Sequence, residues 1–416
     1  MTATTPRSTG LGRSFWSLWT SSSLSNLADG VLKIALPLTA LRFTDSPLLI
    51  AGLALALSLP WLLFSLPAGA LADRLDRRRV MLAANIVRGL LAGALALALA
   101  TGLGGLWVLY AVALCVGTAE TLYDTSAQSI LPQVVPRARL DRANGRLHAT
   151  EMAMNQFVGP PLGGLLVTAG LALTLVVPAA LWLVAVGALL LVRGGFRVER
   201  ERSTTMRADI AEGLRFLWRH RLLRSFAVMV GISNFATNAV FAVFVLYAVG
   251  PDSPMGLSEP AYGVLLTATA LGVILGSLTA AHVVRLLGRS WALRASVITF
   301  VGLVGVPALT ADPYLIGAGF LVGGFGMAVW NVITVSLRQR VTPDHVLGRV
   351  NSGYRLLAWG TMPLGAAAGG LITEFTSPTW LFASMAALTS VILVWLLRID
   401  GAAMDRAEAD NATAAG

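Results

Sequence analysis

Apolar residues run along this chain in long unbroken stretches. They neither alternate with polar residues at a period of two nor keep to one helical face. A helix needs roughly 20 mostly apolar residues to cross the hydrocarbon core of a bilayer. Twelve stretches reach that length: 15–41, 48–71, 79–101, 106–131, 144–169, 172–193, 225–249, 262–286, 291–310, 314–337, 351–374 and 378–398. Short turns join most of them. The exception is 194–224, a long charged segment between the sixth and seventh. Barrel strands would alternate apolar and polar residues. The pattern therefore predicts an all-α membrane protein with twelve transmembrane helices.

Composition agrees. Residues of the apolar set make up 56% of the chain, charged residues only 12%, and mean hydropathy is +0.73. A soluble domain carries about 25% charged residues, so a soluble enzyme and a disordered chain are both excluded. A net charge of +10 would point to nucleic acid in a soluble protein. Here the placement of the charge says otherwise. Lys33 is the one lysine, and the other 30 basic residues are arginine. With the N-terminus in the cytoplasm, 28 of the 30 fall in or beside cytoplasmic segments, Arg42 and Arg88 being the exceptions. The opposite turns at 102–105, 170–171, 250–261, 311–313 and 375–377 hold no arginine or lysine. This is the positive-inside bias. It predicts a bacterial plasma-membrane protein with both termini cytoplasmic, a bilayer as its surroundings and no nucleic-acid partner. Cys115 is the lone cysteine, so no internal disulfide is expected. The first residues lack a cleavable signal, and the first span is expected to direct insertion.

The chain repeats itself. Pro136, Leu140, Arg142 and Asn144 are matched by Pro343, Leu347, Arg349 and Asn351, each 207 residues on, and Gly69 is matched in the same way by Gly276. Gly159, Gly163 and Gly164 are matched by Gly365, Gly369 and Gly370, but 206 residues on, so the second copy is one residue shorter between these points. The expected organisation is a six-helix half over 1–193, a cytoplasmic linker over 194–224, a parallel six-helix half over 225–398 and a disordered cytoplasmic tail over 399–416. Parallel halves of this kind bind substrate between them near the midplane. Within the linker, Ile210, Leu214 and Leu217 share a helical face beside Trp218, which predicts an amphipathic helix at the inner headgroups.

Ionisable side chains at membrane depth are costly and point to function. Five are expected near mid-depth: Asp29 and Lys33 in span one, Arg88 in span three, and Glu120 and Asp124 in span four. Asp29 and Lys33 are spaced i, i+4 and can neutralise each other, either as a simple helix ion pair or as part of a site. Glu120 and Asp124 share the same spacing but cannot neutralise each other. Two carboxylates so placed in a low dielectric are a candidate proton carrier, with Arg88 as their counter-ion. Asp29 is an alternative carrier. Asn26, Asn155, Gln156, Asn234, Asn238, Trp330 and Asn331 put amide and indole groups into spans one, five, seven and ten. They serve either as interhelical hydrogen bonds or as the wall of a cavity for a bulky amphipathic molecule. The four histidines are scattered, no phosphate-binding loop is present, and no hydrolase or metalloprotease motif occurs. No catalytic residue, metal or cofactor is expected.

Gly69-Ala-Leu-Ala-Asp73-Arg74-Leu-Asp76-Arg77-Arg78, between spans two and three, resembles the signature loop of the major facilitator superfamily, Gly-x-x-x-Asp-Arg-x-Gly-Arg-Arg. It departs once, with Asp76 where glycine is usual. Gly159-Pro160-Pro161-Leu162-Gly163-Gly164 resembles the Gly-Pro-x-x-Gly-Gly motif of proton-coupled antiporters, with Asn155 where a further glycine is expected. Asn26-Leu-Ala-Asp29, Glu120-Thr-Leu-Tyr-Asp124, Leu131-Pro-Gln-Val-Val-Pro136 and Glu212-Gly-Leu-Arg-Phe-Leu-Trp218 are similar to the branch holding macrolide efflux pumps and an enterobactin exporter. The resemblance implies a monomeric secondary transporter exporting an organic compound in exchange for protons. It places a gate at Gly69, Asp73, Arg74, Arg77 and Arg78, with Asp124 a partner for the arginines, and helix packing at Gly159, Pro160, Gly163 and Gly164. A proton-coupled uptake symporter is the alternative. A membrane-embedded enzyme or receptor has no use for a repeated architecture with a gating loop.

Overall fold

A computed structural model describes residues 11–136, 139–196, 206–250, 252–342, 344–397, 399, 404 and 406. The elements in chain order are α1 (Arg13–Ala40), α2 (Pro47–Arg74), α3 (Arg77–Ala100), α4 (Leu106–Val134), α5 (Leu140–Glu151), a π-helical turn (Met152–Val158), α6 (Gly159–Ala169), α7 (Leu171–Leu190), α8 (Met206–Arg219), α9 (Arg221–Ala248), α10 (Glu259–Gly305), a short 3₁₀ turn (Val306–Ala308), α11 (Pro313–Val341), α12 (Asp344–Phe375) and α13 (Pro378–Leu396). No strand occurs among the described residues.

The expected spans map onto these helices. Spans eight and nine are continuous in α10, where Gly288, at φ 74° and ψ 160°, makes the turn between them. A left-handed backbone there suits glycine, which has no Cβ to clash. Among the described residues nine helices are long and apolar enough to cross a membrane, α10 being one. Helix α1 falls outside that set because Asn26, Asp29 and Lys33 dilute the apolar character of its inner stretch. Span five falls outside because the π-helical turn divides it. Helix starts follow local chemistry. Asp312 caps α11 by accepting from Tyr314 N at 2.8 Å, Ser377 caps α13 by accepting from Trp380 N, and proline fills the first position of each.

The π-helical turn lies where the repeat is out of step. Gly159 N donates to Met154 O, five residues back. The matching stretch of the second half lies inside the continuous helix α12. The extra residue between Asn144 and Gly159 is thus absorbed as one wide turn, the usual fate of a single insertion in a helix.

Three apolar cores organise the bundle. One spans both halves at the end that carries residues 42–46, 250–258 and 374–377; it joins Leu36, Ile50, Leu53, Leu109 and Trp182 to Val240, Phe244, Tyr262, Phe320 and Phe382. Toward the opposite, linker end the core divides. Phe15, Met81, Tyr123, Ile130 and Leu189 pack within the first half, while Leu223, Phe226, Val297, Ile333 and Ile392 pack within the second. The halves are therefore fused at one end and separately packed at the other.

Helix α8 forms as the linker pattern predicts, but Leu217 is fully buried in the second-half core, with Leu214 and Phe216 against it. Its apolar stripe docks on protein and not only on headgroups. Ile399 and Met404, expected in a disordered tail, are buried in that same core. Residues 407–416, and 197–205 of the linker, lie outside the described residues.

Candidate functional site

The charged residues of the first half meet in one layer. Arg88 Nη1 donates to Asp29 Oδ1 at 2.7 Å, and both side chains are buried. Arg88 Nη2 donates to Asn85 Oδ1 at 2.6 Å and to Ser25 Oγ at 2.8 Å, and Ser25 Oγ donates to Asn85 Oδ1. Tyr123 and Trp182 cover the guanidinium, with centroids 4.9 and 5.1 Å from Cζ. A buried charge needs both a partner and hydrogen bonds to be tolerated; aromatic faces add cation–π attraction. This group supplies all three.

Lys33 does not pair with Asp29, one turn away on its own helix. Its Nζ donates to Asn155 Oδ1 at 3.0 Å across to the π-helical turn, and lies 4.0 Å from Glu120 Oε1. The Lys33 side chain is 47% exposed and that of Glu120 14%. Two expected pairings are thereby exchanged. Arg88 is the counter-ion of Asp29 and not of Glu120 or Asp124, and Lys33 is the counter-ion of Glu120. The spacing along α1 favoured Asp29–Lys33, but α3 packs on α4 and α7, and from there the long Arg88 side chain reaches across to Asp29 on α1. Among the described residues, no hydrogen bond or ion pair reaches Asp124, which is partly buried one turn from Glu120.

The wider frame matches known proteins. The chain matches the family described as "Transmembrane secretion effector" over residues 6–414. It belongs to this family, within the major facilitator superfamily. It is 30% identical over 391 residues to the multidrug efflux pump Tap of Mycobacterium tuberculosis, covering 88% of each chain. It is 27% identical over 377 residues to the enterobactin exporter EntS of Escherichia coli, covering 88% of this chain and 86% of that protein. Among solved structures, the nucleoside transporter NupG superposes with a TM-score of 0.72 at 14% identity over 92% of this chain and 98% of that one. A bacterial homologue of the iron transporter ferroportin, in its inward-facing state, gives 0.71 at 19% identity over 93% and 99%. The protein is a multi-pass inner-membrane transporter and not an enzyme.

The transporter's signature loop is built around Asp76. Its backbone, at φ −67° and ψ 115°, needs no glycine, and its carboxylate caps α3 through Arg79 N at 3.1 Å while also accepting from Phe196 N at 3.1 Å. Arg77 donates to Ser129 O of α4 at 2.6 Å, and Arg78 donates to Leu189 O and Leu190 O of α7 at 3.0 and 2.7 Å. Neither reaches Asp124, the partner expected for them: the carbonyls at the ends of α4 and α7 lie closer to the start of α3. The side chains of Gly69, Asp73 and Arg74 lie outside the described residues.

The Gly-Pro-x-x-Gly-Gly stretch of the transporter packs on two sides. A Cβ at Gly159 would sit 2.6 Å from Gly30 Cα, and one at Gly163 would sit 2.9 Å from Val31 O, both on α1. A Cβ at Gly164 would sit 2.9 Å from the carbonyl carbon of Glu259 in the second half, and one at Gly263 equally close to that of Pro160. Small residues let these backbones touch.

The amide and indole positions divide. Asn155 joins the charged layer through Lys33. Asn234 donates to Ala358 O at 2.7 Å, binding α9 to α12, while Asn26 and Asn238 donate to carbonyls of their own helices. Trp330 meets Phe226 edge-on at 5.8 Å. Gln156 and Asn331 are exposed. Trp61 of α2 and Trp359 of α12 meet edge-on at 4.9 Å, across the halves. Ser25, Asn85, Tyr123 and Trp182 were not singled out from the sequence. Ser25 lies four residues before Asp29 and Asn85 three before Arg88, so a shared helical face was the available signal.

Proposed function

We propose that the transporter exports a bulky amphipathic organic compound from the cytoplasm in exchange for protons, by alternating access of a cavity between its halves. The observation that carries this reading is the Lys33–Glu120 pair. It is loose at 4.0 Å, partly exposed, and stands beside the tightly held Asp29–Arg88 pair. A carboxylate that is to take up and release a proton needs a counter-ion it can leave. Glu120 has one in Lys33, and Asp124, one turn away, shares the negative field. Asp29 is proposed to hold Arg88 in place beside them. Export is supported by the likeness to the efflux pump Tap and by the glycine motif in span five. Alternating access is supported by cores fused at one end and divided at the other. A cytoplasmic linker end, with both termini on that side, is supported by the arginine bias.

In the proposed cycle, a proton arriving from outside neutralises Glu120 and frees Lys33 to rest on Asn155. Substrate entering from the cytoplasm favours return of the charge. A ligand shifts a two-state equilibrium only by binding the two states unequally, and Glu120 does so if its distance from Lys33 differs between them. The test uses purified transporter in proteoliposomes with an imposed pH gradient and a panel of fluorescent amphipathic dyes. Dye movement against its gradient, accompanied by proton flux in the opposite direction and lost in Glu120→Gln, is expected. Dye and protons moving in the same direction, or accumulation indifferent to the pH gradient, would overturn it.

A further inference from the structure

Between described residues, the hydrogen bonds that cross from one half to the other meet at a single carboxylate. Ser46 Oγ donates to Glu374 Oε2 at 2.7 Å, and Leu48 N donates to the same oxygen at 3.2 Å. Glu374 is near the last turn of α12, and Ser46 and Leu48 flank Pro47, the first residue of α2. The opening N–H groups of a helix have no partner within it, and that end carries the positive pole of the helix dipole. The negative side chain of one half is thus seated on the positive helix end of the other. Ser46 Oγ also accepts from Leu49 N, so it bridges the helix start and the carboxylate.

The approach is shaped for this. Gly370, one turn before Glu374 on α12, lies so close to α2 that a Cβ would sit 2.8 Å from Ala51 Cβ and 3.1 Å from Leu48 Cα. Glu374 and Leu48 are both exposed, so water can reach the contact. Beneath it lies the apolar core shared by both halves, and Trp61 on Trp359 lies deeper along the same pair of helices. The apolar layer is re-formed by any close approach of α2 to α12. The carboxylate, by contrast, is satisfied at one position only. A solvent-accessible, charge-assisted contact over a dry core can be broken and remade.

We propose that Glu374 is the latch of the transport cycle: its carboxylate on the start of α2 holds the fused end shut, and its release admits opening toward that side. The proposal rests on the alternating-access reading above. In it, Glu374 is a positioning residue that never touches substrate.

The experiment uses the full-length transporter in lipid nanodiscs, in a Cys115→Ala background. Spin labels at Arg42→Cys and Thr379→Cys report the distance across the latched end. A second pair, at Asn144→Cys and Leu286→Cys, reports the linker end. Glu374→Ala is expected to raise the open-to-closed ratio at the latched end by about fivefold or more and to shorten the linker-end distance in the same molecules. Ser46→Ala is expected to do the same more weakly. Added to Glu374→Ala it is expected to do nothing further, because both act through one contact. The conservative Glu374→Asp is expected to restore most of the closed population. A ratio unchanged in Glu374→Ala, or Ser46→Ala adding its full effect on top of it, would overturn the latch. A latched end that opens while the linker end stays as it was would keep the latch and overturn the rocking of two halves.

Discussion

The interiors of the two halves are built from different materials. At mid-depth the first half buries Arg88 on Asp29, with Ser25 and Asn85 accepting further hydrogen bonds from its guanidinium. The second half is held by aromatic rings: Phe244 lies 5.2 Å from Phe320 and 6.2 Å from Phe382, and Tyr247 meets Phe382 edge-on at 5.1 Å. A buried ion pair is intolerant of losing one member and tolerant of losing both. A ring cluster loses contact area in proportion to what is removed, whichever ring is changed. One half is thus specified by pairing and the other by volume, and the chemistry proposed for transport resides in the first.

This difference can be tested by substitution. Arg88→Ala leaves Asp29 buried without a counter-ion and is expected to cost about 3–5 kcal/mol, read as a fall in the melting temperature of purified protein. Arg88→Met with Asp29→Leu is expected to recover most of that loss, and failure to recover would mean that the pair is not the source of the cost. Phe244→Ala is expected to cost about 3 kcal/mol, and no change at Phe320 or Phe382 that leaves the volume empty is expected to restore it. Glu120→Gln is expected to reduce proton-driven dye accumulation at least about tenfold, equivalent to about 1.4 kcal/mol, with the melting temperature unchanged. A large stability loss instead would make Glu120 a packing residue. Asn238→Leu is expected to cost under about 1 kcal/mol in melting measurements, since its amide bonds only to the carbonyl of Asn234 on its own helix.

What could be read from the sequence follows from the range of the forces involved. Span boundaries and the linker helix are set within a few neighbouring residues, and they are legible. The superfamily fold was legible through Gly69–Arg78 and the glycines of span five. The ion-pair partners were not. Spacing along one helix offers Lys33 to Asp29, but which charge a carboxylate meets is decided by which long side chain reaches it from another helix, here Arg88 of α3. Asp76 is a related case. It departs from the family pattern, yet the position requires a helix cap at negative φ, which aspartate supplies better than glycine. Glu374 gave no signal at all, since an acid at the end of a span is the ordinary solvated residue until its partner is seen.

The wide turn at Met152–Val158 bears on the ancestry of the two halves. A helix advances about 100° per residue, so one residue added to a regular helix would turn everything before it by that angle; the wide turn takes up the residue locally instead. Gly159 and Gly365 each keep a close backbone neighbour, Gly30 for the first and Phe235 for the second, although one residue has been added ahead of Gly159. The two copies differ here by one residue. Asn155, inside that turn, is the residue that reaches Lys33. A duplicated scaffold with equal halves would offer two equal faces; here the wide turn carries a contact across the first copy, Asn155 on Lys33, at the point where the second copy runs on as regular helix.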